Sequence, residues 1–134
     1  MKASDLFVKC LENEGIEYIF GVPGEENADF LMSLQSSNKI KFILTRHEQG
    51  AAFMAESYGK LTGKLSCCLS TLGPGATNLL TGVADANMDH SPVLVITGQG
   101  SSNRLHKESH QIMDVCNIFK SVTKWTSSVR DPST

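Results

Sequence analysis

The chain has 134 residues, with 12 Lys and Arg against 14 Asp and Glu, and its net charge is −2. A content of 40% hydrophobic and 19% charged residues fits a single globular domain with a real core. This balance argues against a basic nucleic-acid surface; no apolar run approaches the ~20 residues of a membrane helix, and the opening residues lack a signal-peptide core. The expected setting is cytoplasmic.

Taken in chain order, Ser4 is placed to cap a helix to about Glu14, which Gly15 ends. Tyr18-Ile19-Phe20-Gly21-Val22 reads as a short buried strand, and Pro23-Gly24 turns the chain. Glu26 or Asn27 starts a helix that faces Phe30, Leu31 and Leu34 inward and breaks at Ser36-Ser37-Asn38. Lys41-Phe42-Ile43-Leu44 is the next strand. A long helix follows from about His47 to Leu61, with Ala51, Met54, Ala55, Tyr58 and Leu61 or Thr62 at helical spacing, and Gly63 ends it. The strand Leu65 to Ser70 leads through Gly73-Pro74-Gly75 into a helix to about Met88, on which Leu80, Val83, Ala84 and Asn87 share a face. Pro92 to Thr97 is an apolar strand of the kind covered on both faces in a parallel sheet. The alternation predicts an α/β fold with three layers, α/β/α, and a mainly parallel sheet joined by right-handed crossovers. Asp131-Pro132 announces a further helix that the chain does not contain, so continuation past Thr134 is expected; a polar disordered tail is the alternative.

The candidate chemistry begins with Glu48. It follows a strand by four residues and opens a helix, so it reaches the carboxyl edge of the sheet, where ligands of open α/β proteins gather. Thr45-x-x-Glu48 is also a capping box, in which the glutamate only satisfies a backbone donor, and the pattern alone favours that structural reading. His47-Glu48 lacks the second histidine of HExxH, so zinc is not indicated. Gly73-Pro74-Gly75 precedes a helix but is neither GxGxxG nor a P-loop; the glycines serve either an anion or simply a tight turn. Gly98 to Ser102 reads as a mobile loop, and the polar cluster His106, Lys107, Glu108, His110 and Gln111 after it either meets substrate or is solvated. The small residues Gly50, Ala51, Ala52 and Ala55 permit close helix packing, within the domain or between subunits. Cys10, Cys67, Cys68 and Cys116 form no CxxC pair and read as reduced, mostly buried thiols. No metal ligands are assigned.

In order, Phe20-Gly21-Val22-Pro23-Gly24, then Arg46 through Glu56, then Gly73-Pro74-Gly75-Ala76-Thr77-Asn78-Leu79 and Pro92 through Gln99 resemble a known domain. It is the N-terminal pyrimidine-binding (PYR) domain of thiamine-diphosphate enzymes, in the acetolactate synthase large-subunit group. The similarity runs along nearly the whole chain, residues 1–134 as one domain. The resemblance implies the thiamine-diphosphate-binding fold. It also implies that Glu48 is the catalytic glutamate, which shares a proton with a ring nitrogen of the cofactor's aminopyrimidine. Pro23 and Gly24 border that ring, Pro74 and Asn78 form the cofactor-side wall and subunit contact, and Gln111 lies near the reacting centre. The implied reaction decarboxylates pyruvate and passes the two-carbon unit to a second 2-oxo acid, an early step of branched-chain amino acid biosynthesis.

The chain departs from the family pattern in places. Glu25 and Glu26 follow Pro23-Gly24 where biosynthetic members often have a glycine, Leu72 stands where serine is common, and His110-Gln111 is more like the catabolic, flavin-independent members. These departures leave the acceptor and any FAD requirement open. The family's diphosphate- and magnesium-binding motif, Gly-Asp-Gly with a later asparagine pair, is not in this chain. It belongs to another domain, and the cofactor sits between the PYR domain of one subunit and the diphosphate-binding domain of its partner in a homo-oligomer. Three readings follow: an inactive N-terminal piece of a longer enzyme, a natural PYR subunit of a split decarboxylase, or a non-catalytic assembly module.

Overall fold

Four strands and six helices alternate along residues 1–105 and 107–131, the part of the chain that the computed structural model describes. His106 and the Pro132 of the expected helix start lie outside these residues.

Helix α1 spans Ala3–Asn13. Its first turn is closed by Asp5, whose carboxylate accepts from the Lys2 amide at 3.0 Å; the cap is therefore Lys2, two residues earlier than Ser4. The Ser4 hydroxyl instead hydrogen-bonds with the Ser33 hydroxyl at 2.8 Å, so its polarity ties two helices together. Gly15, at φ 76°, ends the helix in the left-handed region, as expected. Strand β1, Tyr18–Gly21, leads into a 3-10 turn, Glu25–Asn27, and helix α2, Ala28–Leu34, which buries Phe30 and Leu34. Strand β2, Lys41–Leu44, precedes helix α3, Glu48–Thr62. Strand β3, Ser66–Ser70, leads to α4, Pro74–Asn78, and α5, Leu80–Met88. The single helix expected here is thus two, divided at Leu79. Strand β4, Val93–Thr97, follows, and α6, Val115–Phe119, lies in a segment whose sequence carries no strong helical period.

All strand pairs are parallel, in the order β2-β1-β3-β4. Strand β3 is buried from end to end. Its side chains alternate: Cys67 and Leu69 join Val8, Leu11 and Phe30 from α1 and α2, whereas Cys68 joins Ala51, Ala55, Leu79 and Val83 from the opposite layer. Helices on both faces of a parallel sheet make the three expected layers. The strand expected to be covered on both faces, Pro92 to Thr97, is instead half-buried at the sheet edge. Chain composition reports how apolar a strand is, but its place in the sheet is set by crossovers.

Helix α3 packs through Ala51, Ala52, Ala55 and Gly59, not through Met54 and Leu61, which are exposed. The reason is proximity: a Cβ on Gly82 of α5 would lie 2.6 Å from the Ala52 Cβ, which leaves room only for small residues between these helices. On α5 the buried positions are Gly82, Val83 and Ala86; Leu80 and Ala84 are half-buried and Asn87 is exposed. Of the thiols, Cys67 and Cys68 are buried, Cys116 is half-buried and Cys10 is exposed, so burial is less general than expected.

Two surface carboxylates tie the edges together. Glu17 accepts from Lys64 at 2.5 Å and Tyr58 at 3.0 Å, and these bonds, Lys64 first, hold its carboxyl below the usual range. Asp5 is held low by the Ser33 hydroxyl and then by the Lys2 amide. A carboxyl lowered in the fold stabilises it above the unfolded value and ceases to do so as pH falls through the folded value. The melting temperature is therefore expected to fall on acidification below about pH 4, and less steeply in Glu17→Gln. Both groups are exposed, so the change is small; melts across the acid range measure it.

Candidate functional site

The strand order reverses direction between β1 and β3, since β2 lies beyond β1 and β4 beyond β3. A crevice opens outside the carboxyl ends of strands at such a point. Two turns meet there. Gly24, after β1, packs on Thr71, after β3: a Cβ on Gly24 would lie 2.5 Å from the Thr71 Cβ. Thr71 also donates to the Glu26 carboxylate at 2.8 Å. Asn27 secures the first turn by accepting from the Gly24 amide at 2.9 Å.

The third component is Glu48. After β2, Thr45 donates to the His47 carbonyl at 3.1 Å, and His47 is extended and caps α3, its Nδ1 accepting from the Gln49 amide at 3.1 Å. The Thr45–Glu48 capping box is therefore not formed. His47 does the capping, which leaves the Glu48 side chain free to turn inward. It is 9% exposed, and its Oε2 accepts from Asn78 Nδ2 at 3.0 Å. Its Oε1 faces Gly75, where a Cβ would lie 3.2 Å away and also 2.9 Å from Thr71 Cγ2.

The glycine turn positions this contact. Gly73 has φ 57°, a conformation that disfavours side chains, and its missing Cβ leaves room for Gln111, whose own Cβ would be 2.7 Å away. Pro74 occupies the first turn of α4, where no amide partner is lost. Leu72 is buried, 1% exposed.

Of the expected site residues, Glu48 and Asn78 are in direct contact, and Gly24 joins them through Thr71 and Gly75. Gln111 abuts the Gly73 end of the same turn, with its side chain exposed and φ 54°. Pro74 is exposed beside Gly75. Pro23 and Gly24 also line an open groove of about 590 Å³ with Leu31, Met32 and Phe42, which does not include Glu48. Thr71 is not marked by the sequence patterns, and Glu26 enters them only as a helix start and a departure from the family pattern; the signal was Thr71's place directly after a strand end at a ligand-bearing edge. In the loop after β4, Gly98 and Gly100 are buried and Gln99 donates to the Met113 carbonyl at 2.9 Å, whereas Ser101 and Ser102 are exposed.

Away from the crevice, Glu56, Asp85 and Asp89 lie within 4.8 Å of one another. Lys60 already occupies this cluster. It pairs with Glu56 at 2.6 Å and with Asp89, and Asp89 foremost keeps its ammonium charged to unusually high pH. Among the described residues no helix is long and apolar enough to cross a membrane.

A parallel α/β domain with an inward-turned carboxylate beside a glycine turn matches the family of thiamine pyrophosphate enzymes, N-terminal TPP binding domain, over residues 1–118, and the chain belongs to that family. Its relatives include the probable acetolactate synthase large subunit of Methanocaldococcus jannaschii, 40% identical over 132 residues, 98% of this chain and 22% of the relative. Acetolactate synthase of Arthrospira platensis is 43% identical over 129 residues, 94% of this chain and 22% of the relative. The large subunit from Corynebacterium glutamicum is 40% identical over 133 residues, 99% of this chain and 21% of the relative. This chain is thus an N-terminal thiamine-pyrophosphate-binding domain of the acetolactate-synthase-like kind. It spans about a fifth of these relatives' lengths, 21–22%.

Proposed function

We propose that the chain supplies the pyrimidine side of a thiamine diphosphate site in an acetolactate-synthase-like transferase acting on pyruvate and a second 2-oxo acid. The observation that carries this reading is the Glu48 carboxylate, nearly buried at the carboxyl edge of the sheet, with one oxygen held by Asn78 and the other beside a residue with no side chain. Such a cradle fits the edge of a flat ring that carries a basic nitrogen. When bound, thiamine diphosphate supplies a carbon that adds to the 2-oxo acid carbonyl and accepts the electrons left when carbon dioxide departs. Glu48 holds a proton at Oε1 for the ring and stabilises the ring's protonated form. Asn78 fixes the carboxylate, Gly75 admits the ring edge, Gly24 and Pro23 border it, and Pro74 joins Asn78 in the wall towards a partner subunit. Gln111 reaches the same turn from the far side and orients the substrate by donating to its oxygens.

Magnesium and the diphosphate are held by the diphosphate-binding domain of a partner subunit in a homo-oligomer, in a cytoplasmic setting that suits four free cysteines. The relatives' greater length supports this division, with residues 1–134 as one unit of a larger enzyme. The test has two arms. The chain with its diphosphate-binding domain should release carbon dioxide from pyruvate when thiamine diphosphate and magnesium are added. The chain alone should bind the cofactor weakly; a submicromolar dissociation constant, roughly 8 kcal/mol, would refute the half-site.

A further inference from the structure

We propose that Asn78 is a positioning residue for Glu48, its side-chain amide holding one carboxylate oxygen so that only the other is presented to the cofactor ring. This rests on the reading of Glu48 given above. The two residues lie 30 positions apart in sequence, and the contact is a single 3.0 Å bond from Nδ2 to Oε2. A carboxylate only accepts, so the nitrogen of Asn78 must be the group that faces it. Gly75 and Asn78 are three positions apart on α4 and therefore share a face. That face treats the two oxygens differently. Oε2 meets a donor, while Oε1 meets bare backbone, at 3.2 Å from where a Cβ would stand. A glutamate side chain has three rotatable bonds, and one fixed oxygen removes most of that freedom. An amide is suited to the role because it donates at every working pH and never titrates.

Few other titratable groups can imitate the effect. Among elements packed on α3, β3 offers the buried Cys68 thiol, β1 the Tyr18 phenol, α5 Asp85, and α4 and β4 none. Asp85 belongs to the cluster around Glu56, two turns along α3. Glu26 reaches the crevice but is held by Thr71, and Arg46 and His47 are exposed.

The test compares Asn78→Asp and Asn78→Leu in the assembled holoenzyme. Losing one charge-assisted bond should lower kcat about ten- to hundred-fold, with KM for pyruvate and cofactor affinity changed less than about threefold. Asn78→Leu should show this loss at every pH. Asn78→Asp places two carboxyls together, which share one proton in acid and lose it as pH rises. The shared proton restores a donor to Glu48, so the Asp variant should recover towards wild type on acidification. Near-ultraviolet circular dichroism of the bound cofactor, which reports protonation of its aminopyrimidine, should follow the same pH course. A wild-type pH profile for Asn78→Asp would overturn the proposal; so would losses that track cofactor affinity and melting temperature without recovery in acid. The Asp variant is nearly isosteric and decides the matter even if the Leu variant does not fold. Glu48→Gln is the control: wild-type turnover there sinks the underlying reading, whereas a large loss there beside unaffected Asn78 variants sinks only the positioning role.

Discussion

Replacing Glu48 by glutamine in the assembled enzyme is expected to lower turnover by about 10²- to 10⁴-fold, the range over which a positioned acid or base acts. The substitution isolates the proton. Glutamine has the same length, and its carbonyl oxygen can still accept from Asn78 Nδ2, so the 3.0 Å contact survives. What is lost is the ability to give a proton to a ring nitrogen and take it back. The helix start should be unaffected, because His47, and not Glu48, caps α3. Turnover on pyruvate and a thermal melt of the same preparation separate the two effects. A large kinetic loss with a melting temperature within a few degrees of wild type is the expected pair. Activity and stability falling together would return Glu48 to a structural role.

Leu69→Ala is expected to destabilise the fold by about 2–5 kcal/mol, the range for emptying a well-packed leucine site. Leu69 is 0% exposed on β3, among the described residues the only strand buried along its full length. Its side chain faces the cluster with Ile19, Phe30 and Leu34, and its carbonyl accepts from the Val22 amide at 3.3 Å. The site cannot easily collapse. On β1, a Cβ at Gly21 would lie 2.9 Å from the Leu69 Cβ and 2.5 Å from its carbonyl oxygen, so the backbones are already in contact. Urea titration should show a lower midpoint with an unchanged slope. A change under 1 kcal/mol would mean that α1 and α2 close over the gap.

Both predictions draw on features of very different visibility in the sequence. Strand β3 was legible as an apolar run, and so were β1, β2 and the glycine that ends α3. Local periodicity and turn chemistry are written residue by residue, which is why those elements appear close to where they were expected. The faces of α3 and α5 were less legible. Met54 and Leu61 are apolar and correctly spaced, yet alanine and glycine take the buried side because the two helices nearly touch. Hydrophobicity ranks residues by size as well as polarity, and a close interface inverts that ranking. The contribution of the family resemblance was different again. It singled out Glu48, where spacing alone favoured a capping box.

The sequence by itself determined an alternating α/β chain, the delivery of a glutamate to a helix start just past a strand, and a glycine turn after the next strand. These depend on neighbours within a few positions. Only the tertiary structure decided that the strands lie in the order β2-β1-β3-β4, with β4 at the edge, that His47 displaces Glu48 as the cap, and that Asn78 meets the carboxylate. The physical reason is that a helix crossover must carry the chain over the sheet before α4 can face α3. The partner of a side chain 30 residues away is set by that packing, and no local pattern encodes it.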